Sequence, residues 1–233
     1  MNAMRTFRSG GVRLAYEQTG PADGPPLLLL HALGENRGSW AAVAAALAAD
    51  GWRTTALDLR GHGDSDHADD YTFEAMRDDV FALLDELGID EVTVIGHSVG
   101  TIVASLVAMD RPAAVRRMVL EDGPLPFPAD PPRPVPDGPG PGLDGDFDWR
   151  VVAEVARQRN APPARHREGL ARITAPTLVV AGGERSPIPQ DLLADVAARI
   201  PGARLTTIPV GHMIHDYAPT DFLAVTRAFL SEG

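Results

Sequence analysis

Val92-Thr93-Val94-Ile95-Gly96-His97-Ser98-Val99-Gly100 is the stretch that decides how this chain is read. Val92 to Ile95 are four consecutive β-branched residues and form a strand. A helix-like run, Thr101 to Ala108, begins almost at once. The strand must therefore turn into the helix more sharply than bulky neighbours allow. Gly96 and Gly100 let backbone approach where a Cβ would clash. Ser98 is pushed out between them, at the strand end and over the helix N-terminus. That placement exposes its hydroxyl as a nucleophile and aims unsatisfied backbone N–H groups at a developing oxyanion. A bare G-x-S-x-G pattern arises by chance; flanked by a β-branched strand and an Ala/Val-rich helix, it is specific.

The rest of the composition narrows the field. A chain of 233 residues with 44% apolar content fits a single domain over residues 1–233, with residues 123–170 as a lid or insert. A net charge of −11 argues against nucleic acid and anionic membrane surfaces as partners. The absence of cysteine excludes disulfides, thiolate metal sites and a cysteine nucleophile. No histidine–carboxylate cluster has metal-ligand spacing, so neither a metal nor a cofactor is expected. Met1 to Arg8 contain no apolar h-region, and no apolar run approaches the ~18 residues of a membrane span. Neither a signal peptide nor a membrane helix is expected, and the expected location is cytoplasmic. All 21 basic residues are Arg and Ala is abundant, an association with GC-rich bacterial genomes. Nothing in the pattern sets an oligomeric state.

Along the chain, short strand-like runs alternate with helix-like segments. Val12 to Glu17 alternates with period two and reads as a half-exposed edge strand; Leu27 to Leu30 reads as a fully buried one. Ser39 is expected to cap a helix through Ala49, and Arg53 to Leu57 returns to the sheet. Tyr71 to Leu87 is amphipathic, with Phe73, Met76, Val80, Leu83, Leu84 and Leu87 on one stripe. Arg117 to Leu120, Thr177 to Ala181 and Arg204 to Ile208 read as strands, Pro189 to Ile200 and Pro219 to Leu230 as helices. This alternation predicts an α/β fold with a mostly parallel sheet covered by helices on both faces. Nine prolines and five glycines between Gly123 and Gly145 exclude regular structure there. This segment is either a lid over the sheet's C-terminal edge or a disordered insert. Asp148 caps a helix, Trp149 to Gln158, directly after it.

A serine hydroxyl needs a base, and the base needs an orienter. After Ser98 only three histidines remain. His166, within Arg165-His166-Arg167, reads as a solvated surface residue. His212 follows the last strand in Pro209-Val210-Gly211-His212-Met213 and is the expected base; His215 lies one turn further on.

Taken with His31-Ala32-Leu33-Gly34, Asp58-Leu59-Arg60-Gly61-His62-Gly63-Asp64-Ser65 and Ala175 to Gly182, these segments resemble an α/β-hydrolase-fold enzyme of the serine esterase-like branch. The resemblance spans nearly the whole chain. It implies oxyanion donors at the backbone N–H groups of Leu33 and Val99. It gives His31, His62 and His97 scaffold roles and makes Asp58, Arg60 and Asp64 braces of their loop. Relatives usually carry His-Gly where this chain has His31-Ala32. They also usually carry an aspartate where it has Ser186, and a serine supplies no charge to an imidazolium. Asp122, ending the strand Met118 to Glu121, is the expected acid, with Glu184 the alternative and Glu121 a further candidate.

The resemblance implies a serine hydrolase with a small-molecule substrate, cleaving a small carboxylic ester, lactone or thioester through an acyl-enzyme. Same-fold lyases, cofactor-free perhydrolases or haloperoxidase-like enzymes, and a non-catalytic small-molecule receptor, remain alternatives. Ser98 argues against dehalogenases and epoxide hydrolases of this fold, which use an aspartate there. Trp40, Leu125, Phe127, Trp149 and Met213 are candidate pocket residues beside Leu33 and Val99, although Trp40 and Trp149 equally read as helix packing.

Overall fold

The computed structural model describes residues 3–123, 127–129, 131–143 and 145–232; Leu125, an expected pocket residue, lies outside them. The chain runs β1 (Arg5–Ser9), β2 (Val12–Thr19), β3 (Pro26–Leu30), α1 (Ala41–Ala49), β4 (Arg53–Leu57), α2 (Phe73–Leu87), β5 (Val92–His97), α3 (Val99–Asp110) and β6 (Val115–Glu121). Beyond the Pro/Gly-rich segment come α4 (Trp149–Asn160), α5 (Ala164–Glu168), β7 (Thr177–Ala181), α6 (Gln190–Arg199), β8 (Arg204–Thr207), α7 (Ile214–Tyr217) and α8 (Pro219–Leu230).

The eight strands form one sheet in the order β1-β2-β4-β3-β5-β6-β7-β8. β2 pairs antiparallel with both β1 and β4, and the remaining neighbours are parallel. Side-chain alternation divides the buried strands between two cores. Leu28, Leu30, Val94, Met118, Leu120 and Val179 join the core under α2, α3 and α6. Leu27, Leu29, Ile95, Val119, Leu178 and Val180 join the core under α1 and α8. Strands buried on both faces must be apolar throughout, which is why they read as continuous hydrophobic runs.

Several local expectations need correction. β2 is not an edge strand, because β1 pairs with it outside. β1 reads Arg-Thr-Phe-Arg-Ser, with too little apolar alternation to announce itself, although Gly10-Gly11 is the turn of a hairpin. Ser39 does not cap α1. A short 3-10 turn, Arg37–Trp40, precedes that helix, and its cap is Asn36, whose Oδ1 accepts the Gly38 N–H at 2.8 Å. The Ser39 hydroxyl instead donates to the Asn36 carbonyl at 3.0 Å. α2 starts at Phe73, not Tyr71, because the Thr72 hydroxyl caps it at the Ala75 N–H. Asp148 caps α4 as expected, accepting from the Arg150 N–H at 3.0 Å.

The described part of the Pro/Gly-rich segment is tied to the C-terminal end of α4. Ala129 N–H donates to the Arg159 carbonyl at 3.2 Å. Arg133 N–H donates to Asn160 Oδ1 at 2.7 Å, and Asn160 Nδ2 returns a bond to the Arg133 carbonyl at 2.9 Å. Among the described residues no helix is long and apolar enough to cross a membrane.

Candidate active site

The site is built at the C-terminal ends of β5 and β6 and on the loop after β8. At the end of β5, Ser98 has φ 50° and ψ −112°. Few non-glycine residues adopt such a backbone, and it persists only where the surroundings over-determine it. Here they do. A Cβ on Gly96 would lie 2.5 Å from the Gly100 carbonyl oxygen, and one on Gly100 would lie 2.2 Å from that of Leu30. The elbow therefore closes only with both glycines. Ser98 N–H donates to the Glu121 carbonyl at 3.0 Å, extending the β5–β6 pairing by one bond. Val99 opens α3, so its N–H has no acceptor within the helix. The Ser98 hydroxyl, half-buried, has no hydrogen-bond partner among the described residues.

Asp122 repeats the pattern one strand over. It too has a positive φ, 42°, and its N–H donates to the Val180 carbonyl at 2.8 Å. The carboxylate is fully buried. Its Oδ1 accepts the Gly182 N–H at 2.7 Å. Its Oδ2 lies 2.7 Å from His212 Nδ1 and also accepts the Ser186 hydroxyl. The fold therefore pairs the expected base with the expected acid. Glu184 is solvent-exposed and makes no contact with His212 among the described residues. A carboxylate on Nδ1 fixes the imidazole tautomer and leaves Nε2 free to take a proton. His212 keeps about a quarter of its side chain exposed (23%), so that nitrogen has a route to a bound molecule.

An elbow serine, a histidine loop after the last strand and this sheet order are one family's architecture, and residues 25–150 match the α/β hydrolase fold. The chain belongs to the α/β-hydrolase-fold family. It is 27% identical to a mouse (Mus musculus) sn-1-specific diacylglycerol lipase over 254 residues, 91% of this chain and 83% of that one. A thermophilic esterase from Thermogutta terrifontis superposes with a TM-score of 0.81 at 26% identity, covering 99% of this chain and 98% of that one. The enol-lactonase from Burkholderia xenovorans has a TM-score of 0.88 at 21% identity, covering 98% and 100%. At that identity the likeness concerns the fold.

Against the α/β-hydrolase pattern, the loop after β3 departs at Ala32, where a glycine is usual. The departure costs nothing in backbone geometry, because Ala32 is not in the left-handed region. Ala32 N–H donates to Glu35 Oε2 at 3.2 Å, and Gly34 N–H donates to His62 Nε2 at 3.2 Å. The Leu33 N–H between them has no acceptor among the described residues. Side chains thus occupy the flanking donors and leave free the one donor expected in an oxyanion hole. His31 braces the same loop, with Nδ1 2.7 Å from the Ala32 carbonyl and Nε2 accepting the Leu59 N–H at 3.0 Å. Burial lowers the His31 pKa to about 3, with the neighbouring His62 adding to it, and burial lowers that of His62 to about 4. Both rings are therefore neutral hydrogen-bonders at pH 7. Asp58 ties the next loop to this one, accepting the Asp64 N–H at 2.9 Å and the Arg37 N–H at 2.6 Å. Arg60 pairs bidentately with buried Asp79.

Sequence reasoning missed a second histidine–carboxylate layer beneath the first. Each of its members stands within three residues of a site residue. Glu121, preceding Asp122, is fully buried and lies 2.8–2.9 Å from His215 Nδ1, and it accepts the His215 N–H. His97, preceding Ser98, lies with Nε2 3.0 Å from the His212 carbonyl and Nδ1 3.5 Å from Glu35 Oε2. Burial opposes charge on His97, but Glu121 and Glu35 outweigh it and raise the pKa. Burial likewise opposes charge on Glu35, yet His97 and the Ala32 N–H hold its pKa at about 2. Period-two alternation was the available signal: if Ser98 and Asp122 face the site, His97 and Glu121 face the other core.

Two side chains stand elsewhere than expected. His166 is not a solvated residue: α5 turns it inward, fully buried, with Nε2 2.8 Å from Glu74 Oε1. Trp40 is also fully buried and stacks on His215, ring centroids 4.1 Å apart. It supports the histidine loop from below and offers no surface to a pocket. Trp149 lines a cavity of about 350 Å³ with Tyr71, Arg150 and Arg157, distinct from the elbow. Phe127 is half-buried under the Arg167 guanidinium, and Met213 is half-buried beside His212. Among the described residues no cluster is arranged to hold a metal ion.

Proposed function

We propose that this chain is a serine hydrolase of small carboxylic esters, lactones or thioesters. In this reading the Ser98 oxygen attacks the carbonyl carbon while His212 Nε2 takes the hydroxyl proton. Asp122 holds the ring and stabilises its positive charge. The Leu33 and Val99 N–H groups receive the oxyanion. Collapse of the tetrahedral intermediate expels the alcohol, which takes the proton from His212 and leaves an acyl-Ser98. A water then repeats the sequence and releases the acid. The observation that carries this reading is the 2.7 Å contact between His212 Nδ1 and a buried carboxylate, at a sheet edge where Ser98 is held in a strained elbow. The Ser98–His212 bond itself is the kind that often closes only in the substrate complex. Ester chemistry as the class is supported by similar proteins described as a lipase and an esterase.

A fluorophosphonate probe tests it. The intact protein is expected to gain one covalent adduct, on Ser98, and to turn over p-nitrophenyl esters. Ser98→Ala should lose both, with turnover falling by at least about three orders of magnitude while the circular dichroism spectrum is kept. A folded Ser98→Ala variant that keeps most of its activity would remove the serine mechanism.

A further inference from the structure

A cavity of about 510 Å³ lies between the Pro/Gly-rich strap, the C-terminal end of α4 and the loop leading into α6, lined by Phe127, Pro131, Arg133, Arg159, Pro187 and Leu192 among others. That volume suits a small organic ligand, for which sites run to about 300–1,000 Å³. Its wall starts one residue from the proposed acid's neighbour, since Pro187 follows Ser186, whose hydroxyl bonds Asp122. Phe127, Leu192 and the prolines give it an apolar lining.

Its charge is unusual for this protein. Carboxylates outnumber arginines 32 to 21, and the guanidinium groups of Arg37, Arg60, Arg77, Arg150 and Arg204 are all paired with them. The side chains of Arg133 and Arg159 have no acceptor among the described residues, although both line this cavity. Asp191 lines it too, but is solvent-exposed and ion-pairs with neither. Burial, with the Arg133 charge adding to it, lowers the Arg159 pKa to about 10, so the group stays charged at pH 7 while lacking a counterion among the described residues. A half-buried, uncompensated guanidinium is costly unless an anion is to meet it. The backbones that carry the two arginines are held together, because Ala129 N–H bonds the Arg159 carbonyl and the Asn160 side-chain amide bonds both the N–H and the carbonyl of Arg133. Among the described residues two cations stand against one exposed carboxylate, which favours a monoanion, and the apolar walls favour one carried on a short alkyl chain.

We propose that this cavity receives the carboxylate end of the substrate, making the preferred substrate a monoester or lactone of a short dicarboxylic acid. This rests on the ester-hydrolase reading above. Arg159 is the binding group, with Arg133 in support, and their fork geometry suits a carboxylate.

Mono-p-nitrophenyl glutarate and p-nitrophenyl pentanoate have the same acyl length and differ by the terminal carboxylate. The wild-type protein is expected to show the higher kcat/KM on the glutarate. Arg159→Met should cut that preference on the order of tenfold to a hundredfold, the worth of a charge-assisted hydrogen bond. Arg133→Gln, on the exposed strap, should cut it less, and Arg159→Lys should keep part of it. A wild-type preference for the pentanoate, or a ratio unmoved by both Arg159→Met and Arg133→Gln, overturns the proposal. Calorimetric titration of free glutarate into folded Ser98→Ala protein tests the anion site without turnover. Glutarate should bind, and binding should be lost when Arg159→Met is added; no binding overturns the site. If neither ester is turned over, the hydrolase reading fails alone and the titration decides this one. Glutarate that binds at Arg159 without competing against the anionic ester would mark an effector site and overturn the substrate-end assignment.

Discussion

Ser98 and Asp122 are the described non-glycine residues with a positive φ, and they end neighbouring strands. Such conformations cost of order 1–3 kcal/mol each and mark places where geometry is enforced. In both, one further backbone bond to the next strand does the enforcing, to Glu121 from Ser98 and to Val180 from Asp122. The position of each side chain is thus set by sheet register, not by its own packing. The carboxylate of Asp122 accepts from Gly182, Ser186 and His212 at once. Asp122→Asn keeps the size but loses the charge that stabilises an imidazolium, and its amide nitrogen can present a donor to Nδ1. Ester turnover is expected to fall by roughly four orders of magnitude, the loss seen when a serine protease exchanges its orienting aspartate for asparagine. Glu184→Gln should stay within about twofold, because that side chain is exposed and contacts nothing at the site. Initial rates on one p-nitrophenyl ester compare the two, and equal losses would displace Asp122 as the acid.

At the scale of elements, the loop after β3 is held by Glu35, His31 and His62, so that Leu33, between the occupied Ala32 and Gly34 donors, keeps an N–H with no acceptor among the described residues. Glu35 is a positioning residue here, acting through Ala32. Glu35→Ala is expected to lower kcat about tenfold to a hundredfold with KM little changed, less than deleting an oxyanion donor outright. Glu35→Gln retains an acceptor for the Ala32 N–H and should recover much of the loss. Parallel falls in kcat and melting temperature in both variants would make Glu35 purely structural. The elements that frame this loop were legible because doubly buried strands are apolar throughout and helices between them carry a 3.6-residue stripe. Asp122 could be read as a candidate acid because it ends such a strand. What escaped was whatever depends on partners distant in sequence. β1 has one large apolar residue and is a strand because β2 lies beside it. His166, between two arginines, is buried because Glu74, 92 residues away, accepts it. Trp40 serves the histidine loop because His215 stacks on it.

For the whole molecule, the buried neutral histidines set a response to acid. His31 and His62 have folded pKa values of about 3 and 4 against 6.5 in the unfolded chain. The unfolded state therefore binds more protons between pH 6.5 and those values, and stability contributed by these rings is full above pH 6.5 and lost as pH falls toward 3. Glu35, with a folded pKa of about 2, adds a loss below its ordinary value of 4.5. His97, whose pKa is raised, works the other way: its stabilisation is present below 6.5 and fades above its folded pKa. The melting temperature is expected to drop steadily from about pH 6.5 to about pH 4, by an equivalent of a few kcal/mol. His62→Gln should flatten that slope while lowering stability at pH 7; a wild-type profile flat over this range would contradict the account. The convergence of two strand ends on one carboxylate has a further consequence. The Ser186 hydroxyl, carried beyond β7, touches the Asp122 carboxylate that ends β6. An acid is therefore expected to be exchangeable between the two positions. Ser186→Asp placed in an Asp122→Asn background should restore part of the lost turnover, making that exchange in a single step.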